Sequence, residues 1–123
     1  MVHSVTALNW VYEHYLYYLC LCIADTDCVV TDSDTNRIEN EMFSCVDANR
    51  LRLLHKEVYN EFLLHSDQER MDFISDNAAR FLRTPIIRAK VITQLESISG
   101  EEDENNPAWI MFRYIRKVIN TLK

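Results

Sequence analysis

The spacing of hydrophobic residues predicts helices along most of the chain. Residues 6–24 are apolar on nearly every side, which is typical of a helix buried at the centre of a domain. Leu51, Leu54, Val58 and Phe62 recur at helical spacing and predict a third helix over Ala48–Leu64. No stretch shows the strict alternation of a half-buried strand, so we expect an all-α protein.

Capping residues mark the other helix boundaries. Each side chain can satisfy backbone N–H groups that a helix leaves unpaired at its first turn. The start signals are Thr31 followed by Asp32 and Asp34, the capping box Ser66-x-x-Glu69, Thr84-Pro85, and Asn106-Pro107. Gly100 stands where a left-handed C-terminal cap ends the fifth helix. Six helices are therefore predicted.

The order of these helices suggests an internal echo. An apolar helix is followed by an acid-rich turn and a second helix in two places. The first is helix one, residues 25–34 and helix two, and the second is helix five, residues 101–104 and helix six. We expect a single domain over residues 1–123, a compact bundle of two helical hairpins packed around a buried first helix. Helices three and four would bridge the hairpins.

Composition excludes several enzyme classes. The chain of 123 residues has one glycine, whereas a dinucleotide fingerprint, a phosphate-binding loop and a nucleophile elbow each need at least two. The histidines lie too far apart along the chain for a local zinc motif. No nucleophile, base or cofactor motif is apparent, so we expect a protein that is not an enzyme.

Charge and cysteines bear on partners and compartment. The net charge is −6, and residues 1–50 hold 8 acids and 2 bases, against 11 of each in residues 51–123. Such a chain should be repelled by nucleic acid. The apolar run over residues 15–24 is too short for a membrane span, which needs about 20 residues. Four cysteines without a C-x-x-C pair fit a reducing cytoplasm: Cys20, Cys22, Cys28 and Cys45.

The turn after helix one holds the candidate metal ligands Asp25, Asp27, Asp32 and Asp34. Hard cations such as calcium take six to eight oxygen ligands, although the spacing fits neither register of an EF-hand. Asp32 and Asp34 suit the first turn of helix two without a metal, because the helix dipole favours acids there. Asp25 and Asp27 lie at the C-terminal end of helix one, where the helix dipole disfavours negative charge. Their carboxylates therefore need a partner, which is a metal, a nearby arginine or a turn-forming hydrogen bond.

This segment resembles the signature of the tellurite-resistance TerB-like family, A-D-x-D-G-x-V-S-x-x-E between two helices. Ala24, Asp25 and Asp27 match, Val30 fills the buried position, Thr31 replaces the serine, and Asp34 stands at the acidic position. Cys28 replaces the glycine, and a positive φ at a cysteine costs about 1–2 kcal/mol.

The resemblance implies an all-helical domain linked to tellurite resistance and stress response, with acidic clusters proposed to bind a divalent metal. Family members also occur beside J-domain co-chaperones, where the role is protein–protein interaction. We therefore keep two hypotheses. The first is a calcium-binding module that uses Asp25, Asp27, Asp34 and Asp32, and the second is a metal-free adaptor for an unknown protein partner.

Overall fold

The computed structural model describes residues 9–25 and 32–122, and within them the chain is all-helical. The six helices are α1 (Tyr12–Ala24), α2 (Asp32–Met42), α3 (Ala48–Leu64), α4 (Asp67–Phe81), α5 (Pro85–Ile98) and α6 (Pro107–Asn120). These ranges contain no strand. The predicted all-α class is confirmed, and helix three has the predicted bounds.

The predicted capping box at the start of α4 is formed. The Glu69 N–H donates to Ser66 Oγ at 3.2 Å, and the Ser66 N–H donates to Glu69 Oε1 at 2.8 Å. Two backbone donors that the helix cannot satisfy are thereby paired. The Asp47 carboxylate caps α3 in a similar way, accepting from the Asn49 N–H.

The two starts with proline at the first helical position are also confirmed. Thr84 Oγ1 accepts from the Ile87 N–H at 3.2 Å at the start of α5, and Asn106 Oδ1 accepts from the Ala108 N–H at 3.1 Å at the start of α6. At the end of α5, Gly100 follows the C-cap with a φ of +80°, in the left-handed region that glycine adopts at little cost.

Helix α1 begins later than its hydrophobic pattern predicts. Residues 9–11 are not helical, and α1 begins at Tyr12. The buried ring of Trp10 stacks on His14 with the ring centroids 5.4 Å apart, and the Val11 N–H donates to His14 Nδ1 at 3.2 Å. The apolar run therefore starts before the first residue of α1, because Trp10 packs in the core without being helical. The predicted cap Thr31 lies outside the described residues.

Helix α1 lies at the centre of the bundle. It packs against each of the other five helices, and α5 packs against α6 as the predicted second pair. Residues 14–23 are all buried. The predicted burial of helix one is confirmed.

The tyrosines of α1 combine buried rings with bonded hydroxyls. The Tyr15 hydroxyl donates to the Ile74 carbonyl of α4 at 2.7 Å, and the Tyr17 hydroxyl donates to Glu39 Oε2 of α2 at 2.7 Å. The Tyr18 hydroxyl lies 2.7 Å from Nδ1 of His65, which follows α3. Burial raises the pKa of all three phenols well above the usual value, so they remain protonated.

Arginines satisfy carbonyl groups at the ends of three helices. Arg88 Nε donates to the Leu82 carbonyl after α4 at 2.7 Å, and Arg37 Nη2 donates to the Ile98 carbonyl of α5 at 2.9 Å. Arg70 does the same for α3, as described below. Each cation lies at the negative end of a helix dipole and donates to a carbonyl in or just after the last turn of that helix.

No helix in residues 9–25 and 32–122 combines the length and the apolar character that a membrane crossing requires.

Candidate functional site

The one fully described carboxylate of the predicted Asp-rich turn that contacts another element is Asp25, the C-cap of α1. Arg70 of α4 donates from Nη1 to Asp25 Oδ2 at 2.7 Å. The sequence allows a metal, an arginine or a turn-forming hydrogen bond as the partner of this unfavourably placed acid, and in the structure the partner is an arginine. Arg70 offsets both the carboxylate and the negative end of the α1 dipole.

The position of Arg70 is fixed by several further contacts. Nε and Nη2 both donate to the Phe62 carbonyl, at 3.2 and 3.0 Å, and Cζ lies 3.7 Å from the centroid of the Phe62 ring. A second carboxylate, that of Asp67, is 3.7 Å from Nη1. The Arg70 side chain is only 15% exposed. Arg70 therefore links the C-terminal ends of α1 and α3 through hydrogen bonds.

The four predicted metal ligands are described to different extents. Asp32 is the exposed first residue of α2, and Asp34 lies in the same helix with a side chain that is not described. Asp27 and Cys28 lie outside the described residues. Among the residues that are described, no group of three or more His, Cys, Asp or Glu side chains could hold a metal ion. A calcium site at Asp25, Asp27, Asp32 and Asp34 stays a prediction.

An open groove of about 580 Å³ runs beside the Asp25–Arg70 pair. Four helices contribute its apolar lining, which consists of Cys22 of α1, Leu63 of α3, Met71 of α4, and Pro107 and Met111 of α6. We call this feature the α4–α6 groove. Leu63 is 59% exposed.

The polar rim of the α4–α6 groove is negative. Asp25 and Asp67 face a single cation, Arg70, and the hydrogen-bond donors of that cation already contact Asp25 and the Phe62 carbonyl. The Asp67 side chain is fully exposed. A basic group that enters the groove would therefore meet an accessible carboxylate.

The floor of the groove has no reactive thiol. Burial raises the pKa of the Cys22 thiol well above the usual value, so it stays protonated and is a weak nucleophile. Nothing in the lining combines a nucleophile with a base. The groove offers shape, apolar surface and charge for binding.

A hydroxyl, an imidazole and a carboxylate do line up elsewhere, between α1 and α3. The Tyr18 hydroxyl contacts His65 Nδ1, and His65 Nε2 lies 3.0 Å from Glu61 Oε2. This order resembles the relay of serine hydrolases. Tyr18 is fully buried and Glu61 is 4% exposed, so a substrate cannot reach the hydroxyl. The arrangement connects helices and satisfies a buried carboxylate.

Neither the role of Arg70 nor the groove could be predicted from the sequence. Arg70 is 45 residues from Asp25 in the chain, and local spacing cannot bring such residues together. The apolar lining comes from four separate helices, each with only one or two residues. The sequence feature that comes nearest to indicating the groove is the pair Leu63 and Leu64 at the end of helix three. With this pair, helix three has more apolar side chains than one buried face needs.

Comparisons with protein-family models, with curated proteins and with solved structures found no match to this chain.

Proposed function

We propose that this protein is a non-enzymatic binding module that holds an amphipathic helix of a protein partner in the α4–α6 groove. The partner helix presents apolar side chains to Leu63, Met71 and Met111, and a lysine or arginine to Asp67. The observation that carries the proposal is an apolar groove with a negative rim, in which Arg70 is already paired with Asp25.

The apolar lining supports a helix as the occupant. Met71 and Met111 are flexible side chains that adjust to different apolar partners, and methionine is common on surfaces that bind helices. Leu63 presents a large apolar surface to solvent at the groove edge. Removing this surface from water would favour association.

The charge at the rim supports a basic residue in the partner. Asp25 already pairs with Arg70, whereas Asp67 lies 3.7 Å from the same guanidinium and remains fully exposed. A lysine placed beside Asp67 gains attraction without having to break the Asp25 contact.

Binding of model helices tests the proposal. Labelled peptides of leucine, alanine and glutamine, each with one lysine, glutamate or glutamine at a solvent-edge position, are titrated by fluorescence anisotropy. We expect the wild type to prefer the lysine peptide, and Met111→Glu to weaken binding at least tenfold. Asp67→Lys should reverse the preference towards the glutamate peptide.

A matched control uses Ile86→Glu, because Ile86 is the most exposed large apolar residue of the described chain and does not line the groove. This variant should bind as the wild type does, and circular dichroism checks the fold of each variant. Equal binding of all three peptides, or undiminished binding to a folded Met111→Glu protein, would overturn the proposal.

Calcium binding by Asp25, Asp27, Asp32 and Asp34 is the competing hypothesis, and the family resemblance to TerB-like proteins is what favours it. The Arg70 guanidinium on Asp25 opposes a cation at that carboxylate. We expect millimolar calcium to leave the melting temperature unchanged. A calcium-induced rise that disappears in both Asp25→Ala and Asp32→Ala would instead favour the metal hypothesis and its link to tellurite resistance and stress response.

The cysteines fit a cytoplasmic setting for this module. Cys20 and Cys22 are free and buried, and Cys45 is free and exposed. A reducing compartment would keep such thiols unpaired.

A further inference from the structure

The turn between α4 and α5 presents a large apolar side chain to solvent among basic residues. Ile86 is 81% exposed, and in the chain it lies between Arg83 and Lys90, which are also exposed. We call residues 80–90 the α4–α5 corner. No residue of this corner lines the α4–α6 groove or the described depressions beside α6. The Ile86 side chain therefore projects from the surface instead of lining one of these cavities.

The α4–α5 corner is positively charged although the protein is acidic. Residues 77–95 hold four bases and no acid, whereas the whole chain has a net charge of −6. The bases are Arg80, Arg83, Arg88 and Lys90. Within the described ranges, neither Arg83 nor Lys90 forms an ion pair within 4.0 Å. These two cations can therefore attract an anionic group of another molecule.

The acids of the two helices lie away from this corner. Asp67 begins α4 and the acidic residues 101–104 follow α5, whereas the corner joins the opposite ends of these helices. A helix of 14 residues is about 21 Å long, more than twice the Debye length of about 8 Å at physiological salt. The nearest acids in the chain, Asp76 and Glu96, are each ten residues from Ile86. The charge around Ile86 is therefore locally positive.

A projecting apolar side chain with bases around it fits a lipid surface better than a protein surface. A protein partner is held most tightly where its side chains fill pockets, whereas a lipid interface deforms around a single inserted residue. Basic residues close to a bilayer are attracted to anionic headgroups, and an inserted aliphatic side chain leaves water. We infer that the α4–α5 corner binds an anionic membrane surface, with Ile86 inserted and Arg83 and Lys90 at the headgroups.

This contact is weak and reversible. One aliphatic side chain and a few charges supply much less than a lipid anchor or a long amphipathic helix. Attraction between the bases and the headgroups also weakens as salt rises. We therefore expect binding at low salt that depends on the content of anionic lipid.

Cosedimentation with lipid vesicles tests the inference. The vesicles contain phosphatidylcholine alone or phosphatidylcholine and phosphatidylserine in equal amounts, at about 0.05 M and about 0.5 M salt. The wild type should bind the phosphatidylserine vesicles at low salt only. Ile86→Ser should weaken this binding about tenfold, because the inserted side chain is lost. Arg83→Glu combined with Lys90→Glu should abolish it.

A matched control separates the corner from the total charge of the protein. Arg52→Glu combined with Lys56→Glu makes the same change in net charge at two exposed bases of α3, a helix that packs against α1. This variant should bind the vesicles as the wild type does. Met111→Glu, which alters the α4–α6 groove, should also bind normally, so the two proposals are tested independently.

Circular dichroism checks that each variant is folded. A wild type that does not bind phosphatidylserine vesicles at low salt, or that binds neutral vesicles equally well, would overturn the inference. Undiminished binding by Ile86→Ser, or a loss in the α3 control as large as in the corner variant, would do the same. Soluble polyglutamate that binds the wild type as tightly as the vesicles do would indicate an acidic protein partner instead of a membrane.

Discussion

Arg70 of α4 and Asp25 at the end of α1 are joined by a 2.7 Å hydrogen bond between Nη1 and Oδ2. The same guanidinium donates twice to the Phe62 carbonyl near the end of α3. Two negative helix ends and one carboxylate thus share a single cation. The acid that the sequence marked as needing a partner is stabilised by a residue from the middle of the chain.

Replacing Arg70 should destabilise the fold. Arg70→Met leaves Asp25 without its cation and removes both side-chain donors to the Phe62 carbonyl, which keeps only the His65 N–H, and we expect a loss of about 2 kcal/mol in the free energy of unfolding. Urea unfolding measures the loss. Arg70→Lys keeps the charge but not the forked geometry, so its loss should be intermediate. A change below about 0.5 kcal/mol in Arg70→Met would show that the pair is no stronger than a surface ion pair.

Stability should fall as the solution becomes acidic because of His14. Burial lowers the pKa of His14, although Glu57 near Nε2 acts in the opposite direction. The unfolded chain then binds a proton below a pH of about 6.5, whereas the folded chain resists it, so the free energy of unfolding decreases as the pH falls through that value. Protonation would also remove the Nδ1 acceptor of the Val11 N–H.

Urea unfolding between pH 7.5 and pH 5 checks this sign, with His14→Gln as the comparison. The variant cannot titrate at this position, so its free energy of unfolding should fall less steeply over that range than the wild-type value. Identical slopes for the two proteins would contradict the prediction.

Gly100 should not tolerate a side chain. Its φ is +80°, and a Cβ would lie 3.0 Å from Asn106 Nδ2, the group that donates to the carbonyls of Ser99 and Glu101. We expect Gly100→Ala to lower the free energy of unfolding by about 1–2 kcal/mol. Gly100→Asn should lose less, because asparagine adopts the left-handed region more readily. Equal losses in thermal or urea unfolding would mean that the contact with Asn106 outweighs the backbone conformation.

Alkylation should distinguish the thiols of the native protein. Cys45 is exposed, whereas Cys20 and Cys22 are buried and burial raises their pKa. Iodoacetamide followed by peptide mass mapping should label Cys45 in the folded protein, and Cys20 and Cys22 only after urea is added. Labelling of Cys20 or Cys22 at the rate of Cys45 would show that α1 opens readily in the native state.

The helices could be predicted because their signals are local. Ser66 and Glu69, or Thr84 and Pro85, lie within one turn of each other and specify a helix start without help from the rest of the fold. The start of α1 could not be placed, since Trp10 is buried by tertiary contacts and its apolar character does not distinguish a helix from an extended segment.

The candidate site could be predicted only in part. The position of Asp25 at the negative end of the α1 dipole indicates that this acid needs a partner, but the choice of Arg70 depends on how α4 packs against the ends of α1 and α3. The α4–α6 groove depends in the same way on four helices meeting. A pattern within one helix indicates which face is buried, and it does not indicate where the uncovered edges of several helices come together.

The phenol contacts of α1 fix the rotation of this helix about its own axis. A helix that is apolar on every side gains almost the same burial at any angle about its axis, so hydrophobic packing alone leaves its rotation poorly defined. Tyr15, Tyr17 and Tyr18 direct hydroxyls to α4, α2 and the end of α3. A rotation by one residue, about 100°, would break all three contacts and leave three buried hydroxyls unsatisfied. These three oxygen atoms therefore select one orientation of the central helix from many that are equally apolar.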